Sequence, residues 1–352
     1  MTSGVDSSVM FLLGLICTGL VPALTGAPSA RSVDRPVAVA TDTEAGDSRG
    51  SDGAAAWILP AVEAATARRA EVLTTEHYRF YMPEHGGRAG ETWIAELERF
   101  WRFYEKTIAS LVPTRVVDQR VTVVRCATPA EFVAFRRASP GPPDGERRGV
   151  LWRRSPPMVA FDGSAILGPS DRAVLFFAVA HAGHQILLYE PGVAGSWWLR
   201  EGLAGYFMQT RVDRSGRFVA GDLRDSEGYI RDVTGAGRLS SGMTWAEEPR
   251  RAVKSAVTAY RKKRQVPVDE LLDLPADHRF DDVETRRQAE IEAWILVHFL
   301  LHGGDGELRP RPAAFLARER QGEGGVATFR RTVSGDLDRF ESFLYRHARR
   351  MK

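Results

Sequence analysis

Two histidines and one glutamate are the residues of this chain whose types and spacing could do metal chemistry. His181 and His184 lie three apart in an apolar segment, and Glu201 follows in the next apolar segment. On a helix, residues three apart share one face, about 60° from each other around the axis. Two imidazoles from one helix and a carboxylate from the next form a known catalytic zinc set. The sequence therefore predicts His181, His184 and Glu201 as metal ligands, with zinc as the ion.

The general base of such a site is missing. In an H-E-x-x-H site, a glutamate follows the first histidine and takes a proton from the metal-bound water. Here Ala182 follows His181, and the first imidazole is turned by about 100° compared with a four-residue spacing. Glu190 lies near the end of the segment and would have to bend back. General acid–base help is typically worth about 10²–10⁴ in rate, so hydrolysis is predicted to be impaired, and no catalytic residue is assigned.

The histidine segment is predicted to be a helix that must meet a second helix. The first is capped by Ser170 or Asp171 and ends near Glu190-Pro191-Gly192, because proline and glycine stop a helix. The second starts near Trp197 after a five-residue loop. Trp197 and Trp198, at its start, are candidate binding residues, although core or rim packing is the ordinary role of such rings. His298 is predicted to be a buried packing residue.

Strands are predicted to precede these helices. HYRFYM, QRVTVVRC and PMVAFDG have the composition of strands, and a long helical repeat separates the first two. Thr128-Pro129-Ala130-Glu131 is a capping box that begins a further helix. Beyond an irregular region from 212 to 275, AEIEAWILVHFLLHG and DLDRFESFLYRHARR are predicted helices. The predicted class is α+β, with a short N-terminal strand–helix–strand part followed by a mainly helical part.

The two segments AHAGHQILLYE and WWLREGLAGYF resemble the gluzincin, or peptidase MA-like, zinc metallopeptidases. They are most similar to a bacterial domain family of unknown function in that superfamily. Its members typically read H-E-A-x-H-Q and then W-L-x-E-G-L-A-x-Y-F. The match covers about Thr75 to the C-terminus in the order of its elements. The resemblance implies a zincin-like fold, with Glu201 as third ligand and His184 as the second histidine.

The departure from that pattern has two interpretations. HAGHQ is either H-E-A-G-H-Q with its glutamate deleted, or the helix keeps its register, so that Ala180 fills the first-histidine position and His181 the glutamate position. A glutamate inserted between His181 and Ala182 would rebuild the motif, and is predicted to tighten zinc binding and restore cleavage. Glu290 stands where such families often have a tyrosine.

The N-terminus has the composition of an export signal. Val9 to Leu24 is apolar but broken by glycine and proline, and small residues before Ala27 fit a cleavage site. An uncleaved anchor is the alternative, because no basic residue precedes the apolar stretch. The predicted organisation is a signal peptide at 1–27, a low-complexity linker at 28–74 with a short helix near 57–69, and a peptidase MA-like domain at 75–352.

Composition narrows the classes of partner. The 352 residues carry a formal net charge of only +3, and the basic run at 261–264 has no interleaved aromatic residues. Nucleic-acid binding is therefore not expected, and no stable membrane span is expected after processing. The predicted protein is secreted, periplasmic or in the cell envelope. Its peptidase chemistry is predicted to be impaired or lost, and it is predicted to act by binding peptide or protein. The alternatives are an active zinc peptidase with a rearranged His/His/Glu site and a metal-free structural envelope protein.

Overall fold

The computed structural model describes residues 56–83, 87–110, 114–115, 119–147, 149–154, 156–164, 169–189, 193, 195–213, 215–220, 249–303 and 310–351. The predicted signal peptide and the first part of the predicted linker lie outside the described residues. The described part combines a mixed sheet with a larger number of helical residues. This agrees with the predicted combination of strands and helices.

Six strands form the main sheet, in the order β1-β2-β3-β6-β5-β4. Strands β2, β3 and β6 are parallel neighbours, whereas β1, β5 and β4 run antiparallel to their neighbours. Two short strands, β7 and β8, pair separately. The strands are β1 (Glu71–Thr74), β2 (Tyr78–Met82), β3 (Val121–Cys126), β4 (Gly145–Arg147), β5 (Val150–Arg154), β6 (Pro157–Asp162), β7 (Arg211–Val212) and β8 (Phe218–Val219).

Helices pack on both faces of the sheet and extend beyond it. Along β3, Val123 faces the core shared with α2 and α4, and Val124 faces the core shared with α1 and α3, as the two-residue period of a strand requires. The described helices are α1 (Ile58–Thr66), α2 (Gly87–Ala109), α3 (Pro129–Ala138), α4 (Pro169–Leu188), α5 (Trp197–Met208), α6 (Pro249–Arg261), α7 (Val268–Asp273), α8 (Val283–His302), α9 (Pro310–Glu319), α10 (Gly325–Thr332) and α11 (Leu337–Arg350).

The predicted β2–α2–β3 unit, strand β6 and the two histidine- and glutamate-bearing helices are all present. The short helix predicted near 57–69 is present as α1. Two predictions of irregular chain are wrong. Residues 58–74 are not linker, because α1 buries Ile58 and Val62 against the sheet and β1 pairs with β2. The region from 249 to 275 contains α6 and α7, although the sequence indicated irregular chain. Residues 221–248 of that region lie outside the described residues.

Among the described residues, no helix is both long enough and apolar enough to span a membrane.

Candidate functional site

Helices α4 and α5 position the predicted ligands. Every residue of α4 from Ala173 onward except Gln185 is buried, and all of α5 is buried. A helix that is apolar all round is expected at the centre of a domain. Small residues allow the close packing, since a Cβ added at Gly183 would lie 2.6 Å from the Trp101 ring. Both histidines therefore project from a helix whose rotation is fixed by its surroundings.

Glu201 contacts His181 and is also bound by the guanidinium of Arg200. The Nε2 atom of His181 lies 3.0 Å from Oε1 of Glu201. Arg200 donates to the same oxygen through Nη2 at 3.1 Å and Nε at 3.3 Å, and its Nη1 donates to the carbonyl of Ala276 at 2.5 Å. All three side chains are at most 8% exposed. The centre of the predicted site is thus a buried His–Glu–Arg cluster.

His184 has a different environment. Neither of its ring nitrogens has a hydrogen-bond partner among the described residues, and its ring lies 5.2 Å from that of Tyr189. Burial lowers the pKa of His184 well below 6.5, and the positive charge of Arg200 adds to this effect. Burial also lowers the pKa of His181, although the carboxylate of Glu201 acts in the opposite direction. Both imidazoles are therefore neutral near neutral pH.

The β4–β5 hairpin, which the sequence did not predict, packs against the His181 side of the cluster. The Trp152 ring on β5 lies 5.6 Å from the His181 ring. Arg154 binds Asp144 through its backbone N–H at 2.7 Å and its guanidinium at 2.9 Å. Burial acts to raise the pKa of Asp144, but the hydrogen bonds from Arg154 outweigh it and hold the pKa below 3.8. Arg154 also adds positive potential at both histidines.

The three predicted ligands do not fit a zinc ion in this arrangement. Among the described residues, the group with one ligand atom from each member, all within 4.8 Å of one another, is Glu76, His77 and Glu98. His181, His184 and Glu201 do not meet that distance. Moreover, His181 Nε2 must carry a proton to donate to Glu201, so that nitrogen is not free to bind a metal. Zinc binding by this set stays a prediction that requires rearrangement.

A His/Glu/Glu group, with Glu76 and His77 in the β1–β2 turn and Glu98 on α2, could in principle hold a metal ion. Glu98 Oε2 lies 2.7 Å from Nδ1 of His77, and Glu98 Oε1 accepts from Thr75 at 2.5 Å. Burial acts to raise the pKa of Glu98, but these hydrogen bonds outweigh it and lower the pKa. Arg102 holds Glu76 at 3.1 Å. The network is complete as it stands, so its geometry alone does not require an ion.

The two tryptophans proposed as binding residues are core residues in this structure. Trp197 is 3% exposed and packs on Phe280, and Trp198 is 0% exposed and packs on Phe315. Their rings therefore present no open face to a ligand here, and packing was the other role expected for them. His298, expected in the core, is 7% exposed.

Three residues beside His181 and Glu201 received no functional role in the sequence analysis. Arg200 was quoted within WWLREGLAGYF but received no role, and Arg154 and Trp152 lie on a hairpin that was not predicted.

A second group of histidines was also missed. His298 and His302 are four residues apart on α8, a spacing at which two histidines can bind one metal ion. There, Nδ1 of His298 lies 2.9 Å from Nε2 of His347.

Comparisons with known proteins add no family to this geometry. No protein-family model matches the chain, and no curated protein matches it.

Proposed function

We propose that this chain is an exported protein with a gluzincin-type scaffold that has lost peptidase chemistry and acts by binding peptide or protein. The observation that carries the proposal is the buried guanidinium of Arg200 on Glu201. A cation already bound to the carboxylate competes with any metal ion for the same oxygen. The family assignment itself rests on the resemblance of the two motif segments.

The carboxylates near His181 are poorly suited to replace the missing base. Glu201 is bound by Arg200, and Asp144 is bound by Arg154. Arg154 holds the pKa of Asp144 below its usual value, because hydrogen bonds and positive charge favour the ionised form. A general base must also accept a proton from water within hydrogen-bond reach. Neither carboxylate is free to do so, which supports a binding role over hydrolysis.

Strand β4 supplies a surface for an extended peptide. It is the last strand in the sheet order, so among the described residues one of its edges has no strand partner. Its neighbour β5 carries Trp152, which contacts His181, and Asp144 lies directly before β4. An extended peptide can add to such an edge through main-chain hydrogen bonds. Binding would then take place beside the altered site.

One observation favours the alternative of an active, rearranged zinc peptidase. The two ring nitrogens of His184 are buried without a hydrogen-bond partner among the described residues. Buried polar atoms normally have partners, and a metal ion would provide one if Arg200 moved away. The metal-free structural protein is the third candidate, since Glu201 is already paired with His181 and Arg200 without a ligand.

Metal analysis and a cleavage assay on the purified mature protein separate the three candidates. We expect zinc far below one equivalent, no chelator-sensitive cleavage of casein, and saturable binding of fluorescently labelled unfolded casein in anisotropy. Stoichiometric zinc with chelator-sensitive turnover would establish the rearranged peptidase instead. No zinc, no cleavage and no peptide binding would favour the structural protein.

A motif-restoring variant tests the origin of the site. Insertion after His181 would turn half of α4 by about 100°, and this helix is buried almost throughout, so substitution is the better design. The double variant Ala180→His, His181→Glu rebuilds H-E-x-x-H without changing the register, and Arg200→Met frees Glu201. We expect the triple variant to take up zinc, whereas the single variant His181→Glu does not. A folded triple variant without zinc uptake would contradict descent from a standard site.

A further inference from the structure

A pocket of about 310 Å³ lies between α2 and the first turns of α4, and none of its lining residues belongs to the His181 cluster. Its floor is at the ends of β3 and β6, which are parallel neighbours. Apolar side chains dominate the walls, including Trp93, Leu97, Phe161 and Leu175. Ligand pockets are typically concave and mostly apolar, with a few polar groups that fix orientation, and span about 300–1,000 Å³. This pocket is at the small end of that range.

Arg125 is the polar group that stands out in the pocket. It lies near the end of β3 and is half-buried, and its side chain has no hydrogen-bond or ion-pair partner among the described residues. The chain makes room for it, since a Cβ added at Gly163 would lie 2.7 Å from its Nε atom. A guanidinium removed from part of its water gains from an anionic partner. An unpaired arginine among aromatic and aliphatic walls therefore points to a ligand with a negative group.

The charge of the pocket sets the charge of that ligand. Arg172 also lines it and lies 3.5 Å from Glu96, which is a loose contact rather than a close bidentate pair. Two arginines and one glutamate among the lining residues leave a net charge of +1. A single carboxylate balances this charge, whereas a phosphate dianion would exceed it.

We infer that this pocket binds an apolar group that carries one carboxylate. The carboxylate pairs with Arg125 in the two-bond geometry that a guanidinium offers, and the apolar part packs against Trp93 and Phe161. A small fatty acid or the C-terminal residue of a peptide would present this chemistry. This binding does not depend on the function proposed above, because the pocket shares no residue with the His181 cluster.

Calorimetric titration of the purified mature protein tests the inference with matched charged and neutral probes. Octanoate is compared with octan-1-ol, and N-acetyl-phenylalanine with its amide. A charge-assisted hydrogen bond is worth roughly 1.5–3 kcal/mol, so we expect each carboxylate to bind at least about tenfold more tightly than its neutral analogue. Binding of octanoate alone identifies a free fatty acid, and binding of N-acetyl-phenylalanine identifies a peptide terminus. Equal affinity for charged and neutral probes, or no binding of any probe, would overturn the inference.

Substitutions locate the binding in this pocket. We expect Arg125→Met to weaken carboxylate binding by about tenfold or more, from the same hydrogen-bond energy. Glu96→Gln removes the competing carboxylate beside Arg172 and should strengthen binding, by roughly twofold to fivefold. Arg137→Met, on the exposed side of α3, is the matched control and should leave the affinity unchanged. If Arg125→Met does not fold, the Glu96→Gln gain decides, and unchanged affinity in that variant refutes the assignment.

Discussion

Arg200 determines the electrostatics of the candidate site. Its guanidinium and the His181 imidazole share one oxygen of Glu201 inside the core. Without the arginine, a buried carboxylate would lose its main cationic partner. Removing one member of a buried ion pair is typically costly, whereas replacing both members by neutral groups of similar size often is not.

We expect Arg200→Met to reduce the free energy of unfolding by about 3 kcal/mol. Adding Glu201→Gln should return stability to within about 1 kcal/mol of the parent, because no uncompensated charge then remains. Urea unfolding followed by circular dichroism measures both values, with Arg137→Met as the exposed control. If Arg200→Met were as stable as the control, the pair would not hold the site as described.

The sequence predicts the proximity of His181 and Glu201 better than it predicts the identity of their partners. Helical spacing places both histidines on one face of α4, and a short loop brings α5 beside it. No spacing rule indicates that Arg200 folds back onto its neighbour Glu201, since adjacent helical residues point about 100° apart. That contact depends on the length of the arginine side chain and on burial, which are properties of the packed structure.

At the scale of elements, α5 and α8 meet at Gly202. A Cβ added there would lie 2.5 Å from the carbonyl oxygen of Ala293 and 2.6 Å from Cγ2 of Val297. The obstacle includes backbone, so it cannot simply rotate away. The glycine thus allows α5 to approach α8 closely. This packing places the preceding residue, Glu201, against α4.

Gly202→Ala should therefore lower the free energy of unfolding by about 1–3 kcal/mol through overpacking. The movement of α5 that relieves this overpacking should also move Glu201 away from His181. Thermal or urea unfolding provides the measurement, and Gly335→Ala is the control, because its added Cβ would be 3.9 Å from the nearest atom. A Gly202→Ala variant with parental stability would show that α8 can move to accept the methyl group without loss of free energy of unfolding.

Most of the long periodic elements were predictable from the sequence, whereas the strands β1, β4 and β5 were not. Helix α2 repeats apolar residues over 23 positions, and β3 is an apolar run with a clear helix cap after it. The strands β1, β4 and β5 have three to five residues each, and their burial is decided by partners distant in sequence. The amphipathic helix α6 was overlooked because the polar and basic residues on its exposed face dominate the composition of its segment.

At the scale of the whole molecule, location in the cell remains a prediction from the N-terminal segment. We expect the mature protein to begin near Pro28, after cleavage behind Ala27, because small residues follow the apolar stretch. N-terminal sequencing of the protein recovered from outside the cytoplasm measures this directly. An intact Met1 in a cytoplasmic fraction would refute export, and an intact Met1 in a membrane fraction would indicate an uncleaved anchor.

The burial of α4 has an evolutionary consequence. Under the proposed function, a return to zinc chemistry cannot proceed through one added residue, because every buried side chain upstream would have to find new neighbours. The route by substitution needs at least two changes. Ala180→His alone puts an imidazole where a 1% exposed alanine lies, and His181→Glu alone places a second carboxylate beside Glu201. Each intermediate is expected to be less stable than either end point. The packing of one helix would therefore make the loss of catalysis hard for selection to reverse, even where the rest of the scaffold is intact.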